Sequence, residues 1–409
     1  MARTATPTVK VTGRGRARVA GGQPWIYRQD VIAGPDMDAR TGGPELVLVT
    51  DERNHPLAIA TWSSESPVAL RILDRLFSPL PAKRGQGEGL PNLLQVVETR
   101  LEHALKRRTE LALDRDAFRV VHGESDALPG LFVDVYAGAA VMQTTSVAMD
   151  THRSAIAEIV ERILGKNLVI ARDDGSARDF EGLPRVREIL RGKGSTEIEY
   201  RLGANRLVAD LLTDSKTGGF LDQADNHALV AALAPSGARC LDAFTYHGGF
   251  ALALACKGGA VLATDEDAQA VARTNANAER NGLRNMTVEK ANAFDLLRSL
   301  EPSGRKFDVV VLDPPAFAKR KGGDSAAERA YREIILRGLR ITESEGLVVA
   351  CSCSGRISRE HFDRIVAEAA ADSGRSVQIV ARMGAGRDHP ELVGVPETGH
   401  LKCWILRVA

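Results

Sequence analysis

The chain has 409 residues, 44% hydrophobic and 26% charged, ordinary globular proportions with room for two or three domains. A formal net charge of +1 makes no global demand for a nucleic-acid partner, and no apolar run is long enough to cross a bilayer as a helix. The five cysteines, Cys240, Cys256, Cys351, Cys353 and Cys403, are sparse and odd in number, which speaks against a disulfide framework and for a reducing, cytoplasmic setting.

Residues 1–28 carry Arg3, Lys10, Arg14, Arg16, Arg18 and Arg28 and no acid. Transit peptides share that composition, but no secretory h-region is visible, and the plainer reading is a frayed terminus leading into a basic first strand. From residue 8 to 75 the pattern is one of short β segments. "TVKVTGRGRARVAGGQPWIYRQDV" reads as strand, turn and strand, and "ELVLVTDERNHPLAIATWS" alternates around a polar turn at Glu52–His55. This predicts a small β-rich domain over 1–78. The Pro- and Gly-rich stretch 77–90 reads as a linker. Apolar residues at helical spacing predict a helix from Leu93 to Leu113. Strands through "FRVVHGESDALPGLFVDVYAGAAVMQTT", a helix at 152–165 and the strand "KNLVIARDD" complete a central α+β domain, 79–200.

The last domain, 201–409, changes character. Seven strand-like runs, "ARCLDAF", "AVLATD", "MTVEKAN", "FDVVVLD", "GLVVACS", "SVQIVAR" and "LKCWILRV", alternate with helical stretches at 250–257, 267–281, 293–300, 326–342 and 358–371. Buried strands alternating with helices predict a doubly wound α/β fold, Rossmann-like, on a seven-stranded, mostly parallel sheet.

In such sheets ligands bind beyond the carboxyl ends of the strands. Asp242 closes the first strand, and Gly248 and Gly249 form the turn after it, where backbone can approach a ligand at a helix N-terminus. The spacing is not G-x-G-x-x-G, so the dinucleotide fingerprint is absent. Asp265 ends the second strand, placed for ribose hydroxyls, and Asn292 ends the third, within reach of an adenine edge. A ribose acid without a pyrophosphate loop suits S-adenosylmethionine (SAM) better than NAD. Each of these acids alone is as well explained as a cap or turn residue. At the fourth strand, Asp313-Pro314-Pro315 halts the ladder in a rigid extended loop that presents Asp313 and Phe317.

"DPPAF", "DAFTYHGGF" and "TDSKTGGFLDQADNH" (213–227) resemble class I SAM-dependent RNA methyltransferases. With "HGESDALPGLFVDVY", "ARDDGSARDFEGL" and "DHPELVGVPETGHLKCWIL", the chain resembles over most of its length the single-chain 23S rRNA cytosine-5 methyltransferases that carry an N-terminal PUA domain. The resemblance implies a PUA-like domain, a central α+β domain and a Rossmann-like methyltransferase domain. It implies a cofactor site of Lys216, Thr217, Gly218, Phe220, Asp222, Gln223, Asp242, Phe244, Gly248, Gly249, Asp265, Asn292 and Asp313, with Pro314, Pro315 and Phe317 beside the base. Asn292 stands where the family usually has Asp. The implied partner is large-subunit rRNA, naked or in an early assembly intermediate. No membrane and no metal is implied, and a homodimer is left open.

Two cysteines in "LVVACSCSGRI" then gain a use. Cytosine C5 is not nucleophilic, and a thiolate adding to C6 makes it so. Counting from Gly346, the family's spacing places the nucleophile at Cys353, and Asp313 beside it can protonate or hydrogen-bond the base near N3. The competing reading makes both cysteines buried apolar fillers. Metal binding lacks a ligand set, and a C-x-C disulfide would be strained. Many RNA cytosine-5 enzymes have a second Cys after the motif-IV proline. Here the loop reads D-P-P-A, which leaves the base for the C5 proton unnamed. Trp25 and Tyr27 could stack on RNA bases with Arg28 on phosphate, although aromatics in a small β domain usually serve its core. "AKRKGG" (318–323) could grip RNA backbone. Two alternatives remain: N-methylation of an rRNA guanine, for instance at N7, and a non-catalytic RNA-binding or ribosome-assembly protein.

Overall fold

The structure is a computed structural model that describes residues 7–76, 91–317 and 324–409. Arg3, the expected linker 77–90 and the basic run 318–323 lie outside the described residues.

The N-terminal domain is a six-stranded sheet around a core of Val9, Ile26, Val47, Trp62 and Leu70. One expectation needs correction: the turn expected after the first strand, Thr8–Val11, is a helix, Gly13–Ala20. Thr12 caps it by accepting the Gly15 N–H at 3.2 Å. Gly15 allows the close approach, since a Cβ there would lie 2.8 Å from Val11 Cβ. Of the two glycines that suggest a turn in the sequence, Gly15 thus serves helix packing, while a Cβ on Gly13 would meet nothing.

The central domain folds as expected, with a helix at Leu93–Glu110, a second at Arg153–Leu164 and a five-stranded mixed sheet. An antiparallel hairpin follows, Glu197–Leu202 with Asn205–Asp210. The boundary expected at residue 200 falls inside the first of these strands.

The last domain is a seven-stranded sheet. Its strands are β1 Arg239–Asp242, β2 Ala260–Asp265, β3 Met286–Lys290, β4 Phe307–Leu312, β5 Thr342–Ser352, β6 Val377–Met383 and β7 Lys402–Val408. The helices between and before them are α1 Ala224–Leu233, α2 Gly249–Cys256, α3 Ala268–Arg280, α4 Ala293–Ser303, α5 Asp324–Ile341 and α6 Arg359–Ser373. The strand order is β3-β2-β1-β4-β5-β7-β6, parallel except for β7, which runs antiparallel to both neighbours. β1 pairs with β2 on one side and β4 on the other, so the order reverses there. The carboxyl ends of β1, β2, β4 and β5 therefore open on one edge, where such sheets bind ligands. Apolar side chains from both faces fill the core; Leu241, Val310, Val348 and Trp404 face one layer of helices, Cys240, Val309 and Val349 the other.

Buried ion pairs join the domains. Glu181 of the central domain accepts from Ser63 at 2.9 Å and Arg71 at 2.8 Å, and the Trp25 indole donates to Glu124 at 2.8 Å. Arg115 bridges Asp225 of α1 at 2.6 Å and Asp388 of the β6–β7 loop at 2.9 Å.

Candidate active site

At the end of β1, Asp242 is buried and accepts the Ala251 N–H at 3.1 Å through one oxygen; the other has no partner. Burial, followed by repulsion from Asp313, pushes its carboxyl up to about 7. Gly248 adopts φ +91°, a left-handed conformation suited to glycine, and α2 begins at Gly249. A Cβ at 249 would strike the His227 ring. Asp265 orders the loop by accepting the N–H groups of Tyr246 at 2.9 Å and Asp267 at 3.0 Å. Tyr246 stacks on His247, ring centroids 3.7 Å apart, and its hydroxyl accepts the Ser215 N–H at 3.1 Å.

Asn292 lines the site, but its side chain is engaged otherwise than the sequence suggests. Its amide oxygen caps α4, accepting from Phe294 N at 3.0 Å and Asp295 N at 3.3 Å, while its NH2 donates to Glu266 at 3.4 Å. The oxygen expected to accept from adenine is spent on the helix.

The segment before α1 forms the facing wall. Lys216 pairs with Asp222 at 2.7 Å and lies over the Phe220 ring at 4.3 Å. Against the upward pull of burial, Lys216 and His400 hold the Asp222 carboxyl well below its usual range. Its second oxygen is buried without a partner. Gln223 donates to Asp313 at 3.0 Å. Thr217 and Gly218 turn toward the central domain: Thr217 donates to Asp134 at 2.7 Å, and a Cβ on Gly218 would meet Leu211 at 2.6 Å.

Asp313 follows β4 and Cys353 follows β5, at the ends of paired strands. Burial first, then the Asp222 charge, raise the Asp313 carboxyl to about 7, so a share of it keeps its proton near neutral pH. The two cysteines separate at the strand end. β5 stops at Ser352, leaving Cys351 in the ladder opposite Cys403, 1% exposed in the apolar core. Cys353 lies just beyond and is partly exposed. α6 starts at Arg359, six residues farther along the chain. Burial and the Asp313 charge raise the Cys353 thiol, with Lys216 pulling it down.

These groups surround one cavity of about 520 Å³. Of the expected cofactor residues, Lys216, Phe220, Asp222, Gln223, Phe244, Gly249, Asp265, Asn292 and Asp313 line it; Thr217, Gly218, Asp242 and Gly248 lie behind it. Pro314, Pro315, Phe317 and Cys353 also line it, and Cys351 does not. Trp25 and Tyr27 are elsewhere, in a strand of the N-terminal sheet, and Arg28 opens the 3-10 turn after it. Arg28, half-buried, lies over the Trp62 ring at 4.7 Å and donates to the Ser63 carbonyl. Tyr246 and His247, which lie within the "DAFTYHGGF" stretch expected to hold the cofactor but were not singled out, line the cavity, as do Glu266, Phe294 and His227, which were missed from the sequence. The aromatic pair in "TYHGG", between a strand-end acid and a glycine turn, was the available signal for the first two.

The cavity fits a cationic, aromatic-bearing cofactor. Asp222 has an unpaired oxygen on its wall, Asp265 and Glu266 add acids, and Phe244, Phe294 and Tyr246 offer apolar faces. Among the described residues no cluster of three His, Cys, Asp or Glu could hold a metal ion.

Residues 9–75 match the family described as PUA-like domain, and 188–407 match S-adenosylmethionine-dependent methyltransferase. A relative from Tolumonas auensis named ribosomal RNA large subunit methyltransferase I is 33% identical over 394 residues, 94% of this chain and 95% of its own length. The chain belongs to the ribosomal RNA large subunit methyltransferase I family. An Erwinia tasmaniensis member is 31% identical over 94% of this methyltransferase and 95% of its own length. Among solved structures, one described as a methyltransferase complexed with SAH superposes with TM-score 0.80 at 17% identity, covering 98% of this chain and all of its own. At that identity the likeness speaks for the fold. No helix among the described residues is long and apolar enough to cross a membrane.

Proposed function

We propose that this SAM-dependent methyltransferase modifies large-subunit ribosomal RNA and places the methyl on C5 of a cytosine through a covalent Cys353 adduct at C6. One observation carries the reading: a thiol and a carboxyl raised to about 7, Cys353 and Asp313, stand at adjoining strand ends in the cavity that fits SAM. The rRNA assignment draws on the relatives' names, and the PUA-like domain gives a module for RNA selection. Lys216, Asp222, Asp265 and the Gly249 turn would hold SAM, which supplies an electrophilic methyl to the activated C5.

The residues divide the remaining work. Cys353 gives up its proton to solvent and its sulfur bonds to C6, while Asp313 passes its proton to N3. N3 protonation neutralises charge that would otherwise build up on the ring. Pro314 and Pro315 fix the backbone after Asp313, keeping the carboxyl in place without further ordering cost. Loss of the C5 proton, then expulsion of the thiolate with return of the N3 proton to Asp313, restores the aromatic ring.

The test is a trapping experiment. RNA carrying 5-fluorocytosine at the target should leave a protein–RNA band that survives a denaturing gel, because fluorine cannot leave as a proton does. Cys353→Ser should abolish the band and reduce turnover by about 10³-fold or more, the scale of losing an activated nucleophile. Cys351→Ala should keep both. Turnover by Cys353→Ser at the wild-type rate would discard the covalent reading in favour of N-methylation, which needs no thiol.

A further inference from the structure

β7 opens with a buried cation that the proposed chemistry has not used. Lys402 is 2% exposed, and it faces Ser352 across the β5–β7 pairing. Its ammonium donates to the carbonyl of Ser354 at 2.6 Å and to that of His400 at 2.7 Å. Ser354 is the residue after Cys353, so these bonds tie β7 to the turn that carries the thiol. Removing a lysine from water is costly, and buried lysines are found where a charge or a hydrogen-bond acceptor compensates. Two carbonyls use two of the three ammonium protons.

We propose that Lys402 is a positioning residue for Cys353: it clamps the 352–354 turn against β7 and keeps a buried positive charge behind the thiol, favouring the thiolate. The inference rests on Cys353 being the nucleophile. Cys353 stands among opposed charges. Asp313 after β4 and Asp222 before α1 disfavour a second anion, Lys216 favours it from the cavity side, and the Tyr331 phenol adjoins it from α5. Lys402 is the cation on the β7 side, with Arg359 of α6 facing it in turn. Burial lowers the Lys402 ammonium to about 8, and the Cys353 charge is the first influence that raises it again. An electrostatic link of that kind is mutual: what the thiolate does for the ammonium, the ammonium does for the thiolate.

The link can be read without methyl transfer. The full chain is treated with iodoacetamide across a pH series, and labelling of Cys353 is followed by peptide mass spectrometry. Only the thiolate reacts, so the rate against pH reports its ionisation. Lys402→Met should move the midpoint up by about one pH unit, slowing labelling at neutral pH about tenfold. Lys402→Gln keeps N–H donors for the two carbonyls but no charge, and should label as slowly as Lys402→Met. Labelling at the wild-type rate in Lys402→Gln would overturn the charge role, and an unmoved midpoint in both variants would overturn the proposal. If Lys402→Met fails to fold, Lys402→Gln decides. Failure of the nucleophile reading would appear separately, as methyl transfer surviving in Cys353→Ser, whatever the labelling rates.

Discussion

At the scale of single residues, the site places two acids where neither can ionise freely. Asp242 and Asp313 are both raised to about 7, chiefly by burial. In the unfolded chain a carboxyl titrates near 4, so between that pH and 7 the folded protein binds more protons than the unfolded one. Stability therefore falls as pH rises through this window, and the deficit is complete above about 7. Asp313→Asn removes one contribution while its amide oxygen still accepts from Gln223. It should stabilise the protein at pH 8 by roughly 2–4 kcal/mol, because holding a carboxyl protonated costs about 1.4 kcal/mol for every pH unit above its ordinary titration. At pH 4 the substitution should leave stability unchanged. Thermal melts at the two pH values check this. The same variant should lose methyl transfer, and wild-type turnover should stop rising with pH above about 7, where Asp313 surrenders the proton meant for N3 and offsets the growing thiolate fraction of Cys353. Equal melting temperatures of Asp313→Asn and wild type at pH 8 would refute the assignment of a burial-strained carboxyl.

At the scale of elements, much was legible in the sequence because each signal was local. Seven apolar runs alternating with helical periodicity fix a doubly wound sheet, and acids at three of its first four strand ends, with Asn292 at the other, mark its ligand edge. What escaped depends on contacts between elements. The helix Gly13–Ala20 hides behind Gly15, whose reason, close packing on Val11, lies in the preceding strand. Asn292 could be placed at the cavity, but not its commitment to capping α4. Cys351 and Cys353 share one pattern, and only the end of β5 at Ser352 tells core from cavity. Gly249 combines both kinds of information: the turn was readable, its neighbour was not. The His227 ring, half-buried and T-shaped to Phe250 at 4.4 Å, fills the space a side chain would need. Gly249→Ala should cost about 1–3 kcal/mol in stability, as overpacking does, and weaken SAM binding. Adding His227→Ala should restore much of both, since it removes the clashing ring. No coupling between the two changes in calorimetric titration with SAM would mean the turn is constrained by something else.

At the scale of the whole molecule, the three domains are joined by buried polar contacts, and the chain of contacts reaches the cofactor wall. Arg119 of the central domain grips Asp134 at 2.7 Å, and its own backbone N–H donates to Asp388 of the β6–β7 loop at 2.9 Å. Asp134 accepts from Thr217, and Tyr136 accepts the Gly219 N–H at 3.0 Å while sharing a 3.0 Å contact with Thr217. Burial and the Asp134 charge raise the Tyr136 phenol well above its ordinary value, so it remains a neutral hydroxyl at any working pH. The segment that presents Lys216 and Asp222 is thereby pinned from outside its own domain. Lys216, at φ +52°, sits in a conformation unfavourable for its side chain, which such anchoring helps to hold. Tyr136→Phe keeps the ring and its packing against Tyr200 but leaves the Gly219 N–H without an acceptor. An unpaired buried donor costs about 1–3 kcal/mol. Part of that cost should appear as a SAM dissociation constant raised roughly three- to tenfold, with turnover at saturating SAM little changed, because Cys353 and Asp313 stand on other elements. A dissociation constant equal to wild type, with only the melting temperature lowered, would mean that the central domain supports the fold without shaping the cofactor wall.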